Sequence, residues 1–145
     1  MRVAWLNWWQ KAGDADCGRA AVSPQAPALR KGSAAEELAA GFLRREGLSI
    51  LEHNARFRGG EIDLIALERD VLVFAEVRLR SNPRYGGAAE SITPSKQRRI
   101  LHAAECWLQG AGRAHINRPC RFDALLLDGL DEARIQWIRG AFDAS

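Results

Sequence analysis

The sequence predicts an α/β fold in which a mixed β-sheet is flanked by helices, and three observations point to it. Two short runs rich in β-branched and aromatic residues, 60–66 and 73–78, flank a polar break at Glu68-Arg69-Asp70 and read as a β-hairpin. A capped helical pattern follows, from Thr93 to Gly110, and leads into a compact apolar run at 121–127. A strand, a crossover helix and a second strand in one sheet require a right-handed parallel connection, so antiparallel and parallel pairs must coexist.

The elements follow in order. The folded body is expected from Lys31. Ser33-Ala34-Ala35-Glu36 has the pattern of a capping box, and Ala35, Leu38, Ala39, Phe42 and Leu43 recur at helical spacing behind it. Gly47 is placed to end that helix. Residues 48–54 read as a first strand, and Arg56-Phe57-Arg58-Gly59-Gly60 as a basic turn. The hairpin comes next, to about residue 80. With Arg69-Asp70 at its tip, Glu68 faces Val71 and Asp63 falls opposite Glu76; a four-residue loop gives the same register. Residues 81–91 contain Pro83, Gly86 and Gly87 and read as a loop carrying Arg84. Thr93 caps the second helix with Pro94 at its first position, and Ile100, Leu101, Ala104, Trp107 and Leu108 form its buried stripe. Residues 121–127 and a short run at 134–138 complete the sheet through the Asp128-Gly129 turn region.

Composition bounds the function classes. At 145 residues, 47% hydrophobic and 27% charged, the chain suits one soluble domain. A net charge of +3 mildly favours a polyanionic partner, although GC-rich codon usage would leave the same excess of arginine. Cys17, Cys106 and Cys120 show no ligand-like spacing, and an odd, scattered set suits a reducing cytoplasm better than a disulfide framework. No apolar run approaches the roughly 20 residues of a membrane span. The N-terminal apolar stretch is broken by Asn7, so it reads as non-secretory and the protein as cytoplasmic. Residues 1–30 are expected to form a flexible extension, linker-like from Lys11 onward, and 31–145 the domain. Trp5, Trp8 and Trp9 could cover a groove or stack on bases, or dock a short helix on the body. His53, His102 and His115 are isolated and read as structural.

The hairpin register carries the chemistry. Directly opposed residues point to one face of a sheet with Cβ atoms about 4.5–5.5 Å apart, and Arg78, two residues beyond Glu76, shares that face. Two carboxylates and a cation therefore meet. Like charges placed opposite one another destabilise a sheet, and a divalent metal would explain that cost. The plain alternatives are a strand-edge charge for Asp63, an ion pair with Arg78 for Glu76, and the capping box for Glu36. Glu61 lies on the face of Asp63 by parity, as a ligand, a helper or a strand-start charge.

Asn54-Ala55-Arg56, the run from Gly60 to Ile65 with Glu61 and Asp63, Phe74-Ala75-Glu76-Val77-Arg78, Ser95-Lys96, Ala104 through Leu108, and Arg121-Phe122-Asp123 together resemble the PD-(D/E)xK nuclease superfamily. Within it the chain is most similar to the YraN-like family, over about 31–142. Lys31-Gly32-Ser33-Ala34-Ala35-Glu36 also resembles the start of archaeal Holliday-junction resolvases, where the helix glutamate belongs to the active site. The resemblance implies a restriction-endonuclease-like αβββαβ core. It further implies a Mg²⁺- or Mn²⁺-dependent phosphodiesterase acting on nucleic acid, DNA foremost and structured or branched DNA in particular. No membrane partner is implied, and a homodimer is compatible with the fold. Asp63 would be the central metal ligand, Glu76 the second and Glu36 a third. Arg78 stands where the superfamily motif has Lys: it stays charged, and so orients water or stabilises phosphorane charge without acting as a base. Lys96 could supply the missing amine, or be a solvated helix-start lysine. Lys31, Arg56, Arg58, Arg80, Arg84, Arg98 and Arg99 would contact phosphates. The rivals are a nucleic-acid-binding module with little catalysis, favoured by Arg78, and a structural or regulatory protein whose acidic face pairs internally with arginines.

Overall fold

A computed structural model of the protein describes residues 17–18, 27–79 and 92–143. Helix α1 (Pro27–Arg45) precedes three strands, β1 (Ser49–Phe57), β2 (Gly60–Glu68) and β3 (Val71–Leu79). Helix α2 (Pro94–Gln109), β4 (Cys120–Leu127) and β5 (Ile135–Phe142) follow, with 3₁₀ turns at Arg113–His115 and Glu132–Arg134. The strands lie in chain order in one sheet, antiparallel except for β3 and β4, which run parallel across the α2 crossover. This is the αβββαβ core the resemblance implied, with β5 added at the edge.

The two helices cover opposite faces. Ala35, Ala39, Ala40 and Leu43 of α1 pack on Leu64, Ala66, Val73, Ala75, Leu125 and Leu127. Small residues on that stripe bring the helix close to the sheet. Ile100, Ala103, Ala104, Trp107 and Leu108 of α2 pack on Ala55, Phe57, Ile62, Ile65, Phe74 and Phe122. Phe74, Phe122 and Phe142 stack in series beneath α2, with centroids 5.4 and 4.9 Å apart, and truncating a buried ring of this kind costs about 3–5 kcal/mol.

Several local predictions meet their structures. The hairpin turns on Arg69-Asp70 with Glu68 opposite Val71, and Arg69 takes the left-handed conformation (φ 55°) that such a turn demands. Thr93 caps α2, accepting the Lys96 N–H at 3.2 Å, with Pro94 behind it. Gly47 ends α1 at φ 97°: its N–H bonds Arg44 and that of Leu48 bonds Leu43, a closed C-terminal motif.

Three expectations are corrected. Helix α1 begins at Pro27, so Ser33 lies inside the helix and the capping box does not form; the Glu36 carboxyl is left for another partner. The final strand extends to Phe142 instead of stopping at Ile138. Cys17 and Cys106 form a disulfide, contrary to the reading of scattered free thiols. Spacing 89 residues apart gave no hint of it, because only the fold brings residue 17 over α2. Cys120 is free and buried, and burial pushes its thiol up to about 12, an inert position. The anticipated loop at 81–91 and the tryptophans of the N-terminal extension lie outside the described residues.

Two close approaches position the site. A Cβ on Gly60 would lie 2.1 Å from the Arg99 carbonyl oxygen, so only glycine lets α2 rest on the start of β2. At the far end, β5 bulges at 139–141, three residues facing Asp123 alone on β4, and Asp123 staples β5 across the bulge. Fully buried, Asp123 accepts from Arg121 Nε at 2.8 Å and Nη2 at 2.9 Å, from Trp137 Nε1 at 2.9 Å and from the Gly140 N–H at 3.0 Å.

Candidate functional site at the parting of β2 and β3

The β2–β3 ladder runs from Glu68↔Val71 to Leu64↔Ala75 and stops. The next residues in register are Asp63 and Glu76, the pair anticipated from the hairpin. There a side chain replaces the ladder: Asp63 Oδ2 accepts the Val77 N–H at 2.8 Å, while β3 continues along β4 to Leu79. The neighbouring β1–β2 pairing is disturbed at the same level. Ala55↔Ile62 and His53↔Leu64 bracket Asn54 and Asp63, and Asn54 is left-handed at φ 50°. Ile62 packs beneath α2 but Leu64 packs against α1, although strict alternation would keep them on one face. The twist at Asn54 and Asp63 thus re-aims both side chains, and the parity argument that put Glu61 on the face of Asp63 does not carry across it.

Three carboxyls converge. Glu76 is buried. The Asp63 carboxyl is pushed well above the usual aspartate range, first by burial and then by the negative charge of Glu76; the Val77 N–H offsets part of this and Glu36 adds to it. Glu36, on the inner part of α1, accepts a hydrogen bond from the Asn54 side chain. Its carboxyl is also raised, by burial, with Asn54 and Arg56 opposing. Asn54 belongs to the motif that carries the resemblance, but sequence reasoning gave it no role at the site. Its signal was available in principle, since Asn adopts the left-handed region more readily than most residues.

Lys96 does not point into solvent. Its Nζ lies 3.0 Å from Glu76 Oε1, with the lysine side chain 29% and the glutamate 6% exposed. Glu61, Glu76, Lys96, Arg99 and Ile100 line a cleft of about 20 Å³, room for one water-sized species. Glu61 is exposed on its rim and pairs with Arg56 at 3.7 Å. Arg78 is half-buried, two residues beyond Glu76 and beside Leu126 of β4. Arg98 and Arg99 are exposed on α2. Arg58 is exposed at the β1–β2 turn, where its N–H bonds the Gly18 carbonyl at 2.6 Å. Arg80, Arg84 and the side chain of Lys31 lie outside the description. The histidines have structural partners: His102 Nε2 meets the Arg58 carbonyl at 2.8 Å, and His115 stacks on Trp107.

Among the described residues, no three His, Cys, Asp or Glu side chains form a ready metal cage. A hard divalent cation nevertheless fits the donor chemistry. Mg²⁺ takes one or two carboxylates and completes its shell with water and phosphate oxygens. Asp63 and Glu76 are such a pair, and burial, with the charge of Glu76 behind it, raises the Asp63 carboxyl.

The chain matches the family model described as "Uncharacterised protein family UPF0102" over residues 35–127, a stretch that contains Glu36, Asp63, Glu76, Arg78 and Lys96. It is 53% identical over 115 residues to a UPF0102 protein of Nitrosomonas europaea, covering 79% of this chain and 95% of the relative. A UPF0102 protein of Alkalilimnicola ehrlichii is 49% identical over 122 residues, 84% of this chain and 94% of that one. One from Pseudomonas aeruginosa is 47% identical over 117 residues, 79% and 93% of the two chains.

Proposed function

We propose that this chain, which belongs to the UPF0102 family, is a divalent-metal-dependent nucleic-acid phosphodiesterase of the PD-(D/E)xK type, acting on DNA and on structured or branched DNA in particular. The observation that supports this most is the meeting of Asp63 and Glu76 where β2 and β3 part, with the Asp63 carboxyl forced toward its protonated form. A fold gains nothing from stacking carboxyls there, whereas a cation site requires it.

Asp63 and Glu76 would hold the ion with Glu36 behind them, and the ion would lower the pKa of the attacking water and polarise the phosphoryl oxygen. The remaining work falls to the chain's own cations. Arg78 keeps its charge at any physiological pH and stabilises the negative charge that builds on the phosphorane. Lys96, 3.0 Å from Glu76, would supply from α2 the amine that the superfamily motif carries on β3. Arg56, Arg58, Arg98 and Arg99 border this surface and would grip backbone phosphates without reading bases. The arginine at position 78 favours a second reading, a binding module on a nuclease fold with little turnover.

A cleavage panel separates the two. Wild type, Asp63→Asn, Arg78→Ala and Arg78→Lys are assayed with Mg²⁺ or Mn²⁺ on single-stranded, duplex, flapped and four-way-junction DNA. The nuclease reading expects wild-type cleavage that Asp63→Asn abolishes, a loss of about 10²–10³ in Arg78→Ala, and retained or increased activity in Arg78→Lys. Wild type inert on every substrate with Arg78→Lys active would establish the binding module.

A further inference from the structure

Lys96 puts a cation against Glu76 at the buried end of the cleft that Glu61, Arg99 and Ile100 complete. Its ammonium lies 3.0 Å from a carboxylate that is 6% exposed, and the space around them admits one water-sized species. A divalent ion and the ammonium compete for that space: at about 4 Å and equal screening they would repel about one and a half times as strongly as the ammonium now attracts Glu76 at 3.0 Å. The lysine can move. Its backbone is pinned by the Thr93 cap, but its four-carbon stem is flexible and the side chain is 29% exposed. Arg99, one turn further along α2, is exposed and lines the same cleft.

We propose that Lys96 is an exchangeable counter-cation: it leaves Glu76 when a divalent ion binds, and the released ammonium joins Arg99 at the cleft rim to take a backbone phosphate. This rests on the metal-site reading above and adds to it a coupling between two ligands. Without the ion, Lys96 is occupied by Glu76 and the nucleic acid has one cation fewer to meet. Binding of the ion frees it. Linkage is reciprocal, so the polyanion must in turn tighten the ion by holding Lys96 away from its carboxylate.

The test uses the full chain, with Ca²⁺ as an oxygen-seeking probe ion and a short blunt DNA duplex. Calorimetry gives Ca²⁺ affinity, and fluorescence anisotropy gives duplex affinity with and without Ca²⁺, for wild type, Lys96→Met and Lys96→Arg. Removing the competing charge in Lys96→Met should tighten Ca²⁺ about tenfold, whereas Lys96→Arg, which keeps the charge, should stay near wild type. Ca²⁺ should raise duplex affinity about tenfold in wild type and less than about twofold in Lys96→Met. If Ca²⁺ binds wild type but Lys96→Met binds it equally or more weakly, or keeps the full coupling, the exchange is wrong and the metal site stands. If neither protein takes up Ca²⁺ and Asp63→Asn behaves identically, the metal site falls as well.

Discussion

Asp63 and Asp123 are carboxyls set in one sheet, on β2 and on β4, and their surroundings are opposite in kind. Asp123 has no exposed surface and receives four hydrogen bonds, two from Arg121 and one each from the Trp137 indole and the Gly140 N–H. Arg121 in turn bonds Glu68 at 3.0 Å, Glu68 also accepts from Arg139 at 2.8 Å, and the Arg139 guanidinium lies 3.9 Å from the Trp137 ring centroid. Every charge in that cluster has an opposite. Asp63 receives the Val77 N–H and faces Glu76 and Glu36, two more acids. The first arrangement is complete without any ligand and fixes the edge of the fold. In the second, Lys96 pairs with Glu76, but Asp63 has a backbone N–H and two acids for neighbours and, among the described residues, no cation of its own.

The largest effect that could break this contrast is at Asp123. Replacing it with Ala leaves the Arg121 guanidinium partly buried without its main partner, so denaturant unfolding should show a loss of about 3–5 kcal/mol. A loss under about 1 kcal/mol would mean the cluster is ornamental.

Asp63→Asn should act in the other direction, stabilising the ion-free protein by about 1 kcal/mol through relief of repulsion. The pH dependence sharpens the point. The Asp63 carboxyl is raised in the folded state above its ordinary 3.8, so its contribution is fully present below that value and is lost as pH rises through the folded-state value. Glu36, also raised, acts with the same sign. Melting temperature should therefore fall with rising pH more steeply in wild type than in Asp63→Asn. Parallel curves would place Asp63 among ordinary surface acids.

The smallest effect on stability is expected where charge is exposed. Arg56→Ala combined with Arg58→Ala should change unfolding free energy by about 0.5 kcal/mol or less, yet flatten the log–log salt slope of duplex binding by roughly two units. An unchanged slope would remove the β1–β2 turn from the nucleic-acid surface.

What could be read from the residues followed from local rules. The Arg69-Asp70 hairpin set the register that opposes Asp63 and Glu76, and Thr93-Pro94 set the start of α2. Both depend on backbone preferences acting over a few residues. What escaped depended on tertiary placement. For Glu36 the residues offered both a ligand role and a capping box with Ser33, and local pattern could not choose; the helix continues back to Pro27, so no box forms and the carboxyl is free for Asn54. Lys96 meets Glu76 only because Gly60 lets α2 settle onto β2. The Asp123 cluster was partly visible: Arg121 and Asp123, two apart on a strand, share a face, but Trp137 and Gly140 reach them only through the pairing of β5.

The bond between Cys17 and Cys106 divides the chain covalently into a ring and two tails, 1–16 and 107–145. Glu36, Asp63, Glu76, Arg78 and Lys96 all lie inside the ring, whereas β4, β5 and the Asp123 cluster hang from it. A single backbone cut anywhere between the two cysteines would leave one molecule of undiminished mass, its candidate site still linked on both sides of the break. The same cut before Cys17 or after Cys106 would release that tail as a separate fragment once unfolded. Electrophoresis of singly nicked protein with and without a thiol reductant would map which side each break falls on.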